Sequence, residues 1–169
     1  VRDLIEAEAA RAKYVLVPEP GRSGGGVTSG RYAIARFKIA TVGRPAHAGA
    51  RLSEGKSAIR EMIKRIEQIE DMTTSDCTFS VSVLRAGQWV NCVSSEAQAE
   101  VLSMAKRQED LDKGVEAMLA LNTNEFTVER NVTRPVWEPS GETFRMMEMA
   151  EAFHKEVGMA FRHESSGGG

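Results

Sequence analysis

The stretch Arg31-Tyr32-Ala33-Ile34-Ala35-Arg36-Phe37-Lys38-Ile39-Ala40-Thr41-Val42 decides the fold. Two interleaved sets run through it. Ala33, Ala35, Phe37 and Ile39 alternate with Tyr32, Ile34, Arg36 and Lys38. Period two places the sets on opposite faces of an extended chain. The stretch is therefore expected to be one long strand, Arg31 to Val42, with one face apolar and the other bearing cations.

Working outward, Gly43 to Glu54 reads as a loop that carries His47. From Lys56 to Met72, Ile59, Met62, Ile63, Ile66 and Ile69 recur at three- and four-residue spacing, opposite Arg60, Lys64, Glu67 and Glu70. That is the pattern of an amphipathic helix. Thr78 to Leu84 alternates again. Ala86-Gly87 reads as a turn, and Trp89 to Val93 as the returning strand of a hairpin. Gln98 to Lys106 is a further strand candidate, Gln108 to Leu121 a helix, and Phe126 to Val132 a strand. Strand, helix, three strands, helix, strand is a ferredoxin-like split βαβ pattern with one strand added. The expected class is α+β: an antiparallel ferredoxin-like sheet with two helices on one face. Its free edge or helix pair would suit pairing between subunits.

Flanking segments differ in character. Arg2 to Lys13 suits a helix, and Tyr14-Val15-Leu16-Val17 a buried strand ended by Pro18 and Pro20. Gly21 to Gly30 has five glycines in ten residues and reads as a loop. Arg134 to Pro139 reads as a linker. Thr143 to Val157 suits a helix with Phe144, Met147, Ala150, Phe153 and Val157 as its stripe. These outer pieces have the helix–strand character of an α/β domain. The expectation is thus three parts: residues 1–30 and 135–169 as fragments of an α/β catalytic domain, with residues 31–134 inserted between them as the ferredoxin-like module. Val1 and the terminal Ser165-Ser166-Gly167-Gly168-Gly169 both read as cut ends of a longer chain.

Composition narrows the function classes. Hydrophobic residues are 41% and charged residues 27%, as in ordinary globular proteins, and the net charge of -2 gives no field that would draw nucleic acid or an anionic membrane. Aromatics at 6% are too few for an RNA-stacking sheet. No apolar run approaches the ~18 residues of a membrane span. Cys77 and Cys92 stand singly, which points to reduced thiols and a cytoplasmic location.

Four places hold candidate chemistry. Glu19, between two prolines at a strand end, suits a cation ligand or an exposed turn. His47 lies in Gly43-Arg44-Pro45-Ala46-His47-Ala48-Gly49, where small neighbours free the imidazole to donate to an oxyanion; a loop histidine without a role is the alternative. Asn91 in an expected strand defies propensity, which suggests a polar task or an edge position. Gly167-Gly168-Gly169 can cradle an anion through backbone N–H groups, a weak signal by itself. Gly24-Gly25-Gly26 lacks nucleotide-loop spacing. His154 and His163 form no ligand pattern, so the chain holds no complete zinc site.

Together Val17-Pro18-Glu19-Pro20-Gly21-Arg22, Thr41 to Gly49, Trp89 to Val93 and Ser166 to Gly169 resemble the zinc carboxypeptidase/aminoacylase superfamily. Glutamate carboxypeptidase, acetylornithine deacetylase and succinyl-diaminopimelate desuccinylase are of this type. The resemblance covers essentially the whole chain, and Gly43 to Gly49 is its most specific part. It implies an amide-bond hydrolase, a peptidase or deacylase using zinc-activated water at two bridged zinc ions. It implies a ferredoxin-like lid that forms homodimers. By resemblance Glu19 is a zinc ligand, His47 the lid histidine that stabilises the oxyanion in the partner's site, and Asn91 a substrate-holding residue. Gly167 and Gly168 open the active-site glycine loop. The substrate would be a small amide or peptide. The chain alone would be inactive, because the remaining metal ligands and the general base are not in it. One departure stands out: the family often has arginine where this chain has Met104, with Lys106 on the same strand face. The alternative function is a non-enzymatic pairing or small-molecule-binding module.

Overall fold

The computed structural model describes residues 1–18 and 25–167. Its elements in chain order are α1 (Arg2–Arg11), β1 (Gly26–Arg31), β2 (Ala33–Val42), α2 (Ala58–Glu70), β3 (Cys77–Ala86), β4 (Glu96–Ala105), α3 (Gln108–Ala120), β5 (Phe126–Arg134), α4 (Gly141–Glu156) and β6 (Arg162–Ser166). The alternating stretch is not one strand over its whole length. Arg31 ends β1, which pairs with β6, and Tyr32 lies between strands, while Ala33–Val42 forms β2, one of the two inner strands of an antiparallel sheet ordered β3-β4-β2-β5. Ile39 faces Ala99 on one side and Val128 on the other.

The alternation works as its period requires. Ala33, Ala35, Phe37, Ile39 and Thr41 are buried, and Arg36 and Lys38 are exposed on the opposite face. Both α2 and α3 cover the buried face. They bring Ala58, Met62, Ile69, Leu111, Val115 and Met118 into one core with Phe37, Phe79, Val101 and Phe126. Burying a side chain such as Phe37 contributes about 2–3 kcal/mol. Ser57 caps α2 by accepting from the Arg60 N–H at 3.2 Å, and Glu61 accepts from Arg65 one turn on at 3.1 Å. Gly114 sits mid-helix in α3 because a Cβ there would lie 2.9 Å from the Cys77 Sγ and 3.0 Å from the Phe79 ring. The close approach outweighs the ~1 kcal/mol that glycine costs a helix.

The α+β class with two helices on one face holds. The added strand does not: Trp89 to Val93 is a loop, and the hairpin returns through β4. The Cys92 N–H donates to the Trp89 carbonyl at 3.2 Å, closing a turn, and Trp89 and Val90 face solvent. Apolar alternation makes a strand only where a ladder partner exists. Gly21 to Gly30 is likewise not all loop, since Gly26–Arg31 pairs in parallel with β6. Tyr14 to Val17 is exposed and in no strand, because no described residue pairs with it. Along α4 nothing is fully buried. Met147 and Ala150 of the expected stripe are half-buried, while Phe144, Phe153 and Val157 are exposed, so the described residues cover the stripe only in part. No helix among the described residues is long and apolar enough to cross a membrane.

The Asp110 carboxylate, in the first turn of α3, accepts from Arg107 at 2.7 and 3.1 Å. That bidentate bond holds the Asp110 pKa below the ordinary carboxylate value against the opposing effect of desolvation. A depressed native pKa stabilises the fold above the unfolded value of about 3.9, and the gain disappears as pH falls through the native value. Arg107→Ala should therefore lower stability to urea at neutral pH. The gap to the parent protein should close below about pH 4, as read from unfolding midpoints across pH.

Candidate functional site

The backbone builds this site before any side chain contributes. β2 ends at Val42, and the chain turns through Gly43, whose N–H donates to the Ser95 carbonyl at 2.7 Å. A Cβ at Gly43 would stand 2.2 Å from the Lys56 carbonyl oxygen and 2.8 Å from that of Ser94. Only glycine passes there. Arg44 and Lys56 then exchange backbone hydrogen bonds, and the Val93 N–H donates to Ala46 and the Ala48 N–H to Asn91, both at 2.9 Å. His47 is thereby set opposite Cys92. Its carbonyl also accepts from the Arg51 N–H at 3.0 Å.

The imidazole is exposed but held. Its Nδ1 accepts from the Gly49 N–H at 3.2 Å and the Ala50 N–H at 3.1 Å. Its Nε2 has no partner among the described residues. Asn91 is exposed, and its side chain likewise has no partner among the described residues. The fold thus brings together two of the residues singled out in the sequence, His47 and Asn91, and leaves both with unused hydrogen-bonding atoms. Asn91 lies on a loop and not in the strand that was expected, so its position needs no propensity argument.

Gly167 is elsewhere. The Ser166 carbonyl accepts from the Tyr32 N–H at 3.0 Å, and a Cβ at Gly167 would lie 3.0 Å from Tyr32 and 3.6 Å from Met104. Tyr32 precedes β2 and His47 follows it. Ten strand residues at roughly 3.3 Å each put about 30 Å between the two groups. Met104 lies on the helix-free face, since its neighbours Ser103 and Ala105 are buried beneath the helices. Lys106 lies just past the end of β4. Glu19 and Gly168 fall outside the described residues.

The other histidines serve local structure. His163 is on β6 and not in a loop, with its Nδ1 3.2 Å from the Oγ of buried Ser29. The Nδ1 of His154 is 2.8 Å from the Ala150 carbonyl of its own helix. Among the described residues no three His, Cys, Asp or Glu gather as a metal site. Both cysteines are free. Burial raises the Cys77 thiol pKa, only partly offset by its contact with Ser103. The groups that sequence reasoning missed are backbone ones, the Gly49 and Ala50 amides. The small residues after His47 were their only trace.

Residues 29–127 match the family model described as a peptidase dimerisation domain. Carboxypeptidase G2 from Pseudomonas sp. (strain RS-16) is 28% identical over 178 aligned positions, covering 99% of this chain and 43% of that protein. The chain therefore spans less than half the length of this curated relative. Among solved structures, a tripeptidase from Staphylococcus aureus superposes with a TM-score of 0.75 at 19% identity, over 89% of this chain and 42% of that one. The aminopeptidase PepT from Bacillus cereus gives 0.71 at 23% identity, with the same shares. These two likenesses show the shared fold.

Gly43→Ala should displace the Arg44–Ala50 loop and cost about 1–3 kcal/mol, the usual range for overpacking. Urea unfolding and the amide chemical shifts of residues 44–50 read both effects. Unchanged shifts in that loop would show that the crossing tolerates a side chain.

Proposed function

Because the chain belongs to the M20 peptidase dimerisation domain family, we propose that it is part of a metal-dependent amide hydrolase, a peptidase or deacylase. In this reading residues 31–134 are the lid and pairing module, and residues 1–30 and 135–169 are pieces of the catalytic domain. The exposed apolar side chains of Tyr14 to Val17 and of Phe144 and Phe153 support that division, since such surface normally packs against something. Two zinc ions would be the cofactor, with Glu19 one ligand. The described residues hold no metal-binding group by themselves, so such a centre is not built from them alone. When bound, zinc supplies a nucleophilic water at neutral pH.

The observation that carries the proposal is the side-by-side placement of His47 and Asn91, roughly 30 Å from Gly167. At that separation one copy's histidine is badly placed for its own Gly167, and in this reading it serves the site of a second copy. His47 would donate to the oxygen that gains charge as the amide is attacked, Asn91 would hold the substrate, and Gly167 and Gly168 would offer backbone N–H groups. The substrate class is a small amide or peptide. Met104 offers no charge to a substrate carboxylate, and Lys106, two residues on, lies past the end of β4 and so does not share its strand face, contrary to expectation. The two free cysteines favour a cytoplasmic location.

In this reading the pairing surface is the open end of the β3 edge, the capped positions being Val128 on β5 and Phe79 and Val81 on β3. On β5, the Asn122 side chain accepts from the Val128 N–H at 2.8 Å and donates to its carbonyl at 3.3 Å. On β3, Thr73 accepts from the Phe79 N–H at 2.9 Å and Glu70 from the Val81 N–H at 3.0 Å. Val83 to Ala86 has no such cap from the described residues. Leu84 in this segment and Ile63 on the adjoining α2 are each 48% exposed. An uncapped edge beside apolar side chains is a surface for self-association.

Two experiments on the full-length enzyme test this reading. His47→Ala should lower kcat by about 10²–10³, the usual loss of one oxyanion donor. Co-expressing His47→Ala with Glu19→Ala should restore roughly a quarter of parental activity, because half the dimers then hold one complete site across the two-fold interface. No restoration would mean that His47 does not act on a partner. Separately, Ile63→Glu with Leu84→Glu should convert a dimer to a monomer in sedimentation analysis, and an unchanged mass would place the interface elsewhere.

A further inference from the structure

We propose that the Gly49 and Ala50 amides lock His47 into the tautomer that carries its proton on Nε2. Neutral imidazole has one N–H and one lone pair, and an exposed ring ordinarily exchanges them. Here two backbone N–H groups converge on Nδ1, at 3.2 and 3.1 Å. A proton on Nδ1 would face two donor hydrogens, so that nitrogen must present its lone pair. Turning the ring over would lose both bonds.

The donors cannot easily drift from the ring. The Arg51 N–H donates to the His47 carbonyl at 3.0 Å, which folds residues 47–51 into one turn. On the other side the Ala48 N–H and Ala46 carbonyl anchor the loop to Asn91 and Val93. The backbone thus does for His47 what a carboxylate does for many functional histidines, but with opposite polarity. A carboxylate behind the ring would accept from Nδ1–H and leave Nε2 a base. Amides behind the ring leave Nε2 an N–H donor.

This deepens the proposed function and rests on it for its catalytic meaning. When neutral, a ring locked this way is a hydrogen-bond donor to an oxygen that is gaining charge, and it has no lone pair at Nε2 with which to take a proton from water. Gly49 and Ala50 are positioning residues that act through His47. The amide N–H matters at both sites, not the side chain. A Cβ at Gly49 would rest at 3.6 Å from the His47 ring, an ordinary contact.

Long-range proton–nitrogen spectra of the ¹⁵N-labelled chain at mildly alkaline pH provide the test, with His47→Ala assigning the ring. The expected result is an unprotonated Nδ1, a protonated Nε2, and nitrogen–nitrogen couplings across the hydrogen bonds from the Gly49 and Ala50 amides. Ala50→Pro removes one donor and should move the ring toward a mixture of tautomers. A parent ring that carries its proton on Nδ1, or that averages both forms without couplings, overturns the lock. The couplings need no variant, so a misfolded Ala50→Pro protein leaves the test standing. In the full-length enzyme, His47→Gln, which keeps a donor near Nε2, should retain at least about tenfold more activity than His47→Asn. A locked ring with full activity in His47→Ala would sink the catalytic role alone. An inactive His47→Ala with a proton on Nδ1 would sink the lock alone.

Discussion

β2 is hydrogen-bonded along both sides, and the rest of the domain takes its register from that constraint. With β4 and β5 on its flanks, it cannot slip without reversing which side chains meet the helices. Phe37 and Ile39 would then face water and Arg36 and Lys38 the core. The alanines of β2 and β4 keep the covered face shallow, which lets α2 and α3 settle closely on it. At the far end Thr41 uses its hydroxyl on the Ala58 carbonyl, tying the last turn of the strand to the first turn of α2.

The candidate site is a consequence of how that strand ends. Gly43 lets the chain pass between the Lys56 and Ser94 carbonyls, and from there the loop can run only along Asn91 to Val93. A catalytic side chain on an exposed loop is usually costly to position, because each free rotor must be frozen. Here short backbone bonds hold both the loop and the ring, and the functional atoms are left bare. In the proposed role, such a lid would carry its donor ready-made and need only to be brought to a substrate.

Other parts of the chain differ by what they lack. Val128 on β5 and Phe79 and Val81 on β3 have side chains on their edge backbone groups, and among the described residues the second half of β3 has none. Phe144, Met149 and Phe153 of α4 and the segment Tyr14 to Val17 present exposed apolar side chains among the described residues. A sealed edge protects against chance pairing, and open apolar surface is tolerated where a partner covers it.

Much of this was legible in the amino-acid order. The alternation of β2, the helical spacing of α2 and α3, and the resemblance around Gly43 to Gly49 together specified an α+β module with His47 on a loop. Those signals are local, set by the two- and 3.6-residue periods of the backbone. Trp89 to Val93 and Tyr14 to Val17 misled because an apolar run describes a surface that wants covering and does not say whether a neighbour covers it. Gly26 to Arg31 was hidden for the converse reason, its partner β6 lying far along the chain. The sequence by itself determined residue types and periodicities, hence the covered face of the sheet and the candidate residues. Tertiary structure alone decided that His47 stands beside Asn91 and far from Gly167, and that two amides hold its Nδ1. Such pairings depend on chain crossings and backbone directions, and backbone groups are the same at every residue, so no order of side chains spells them out.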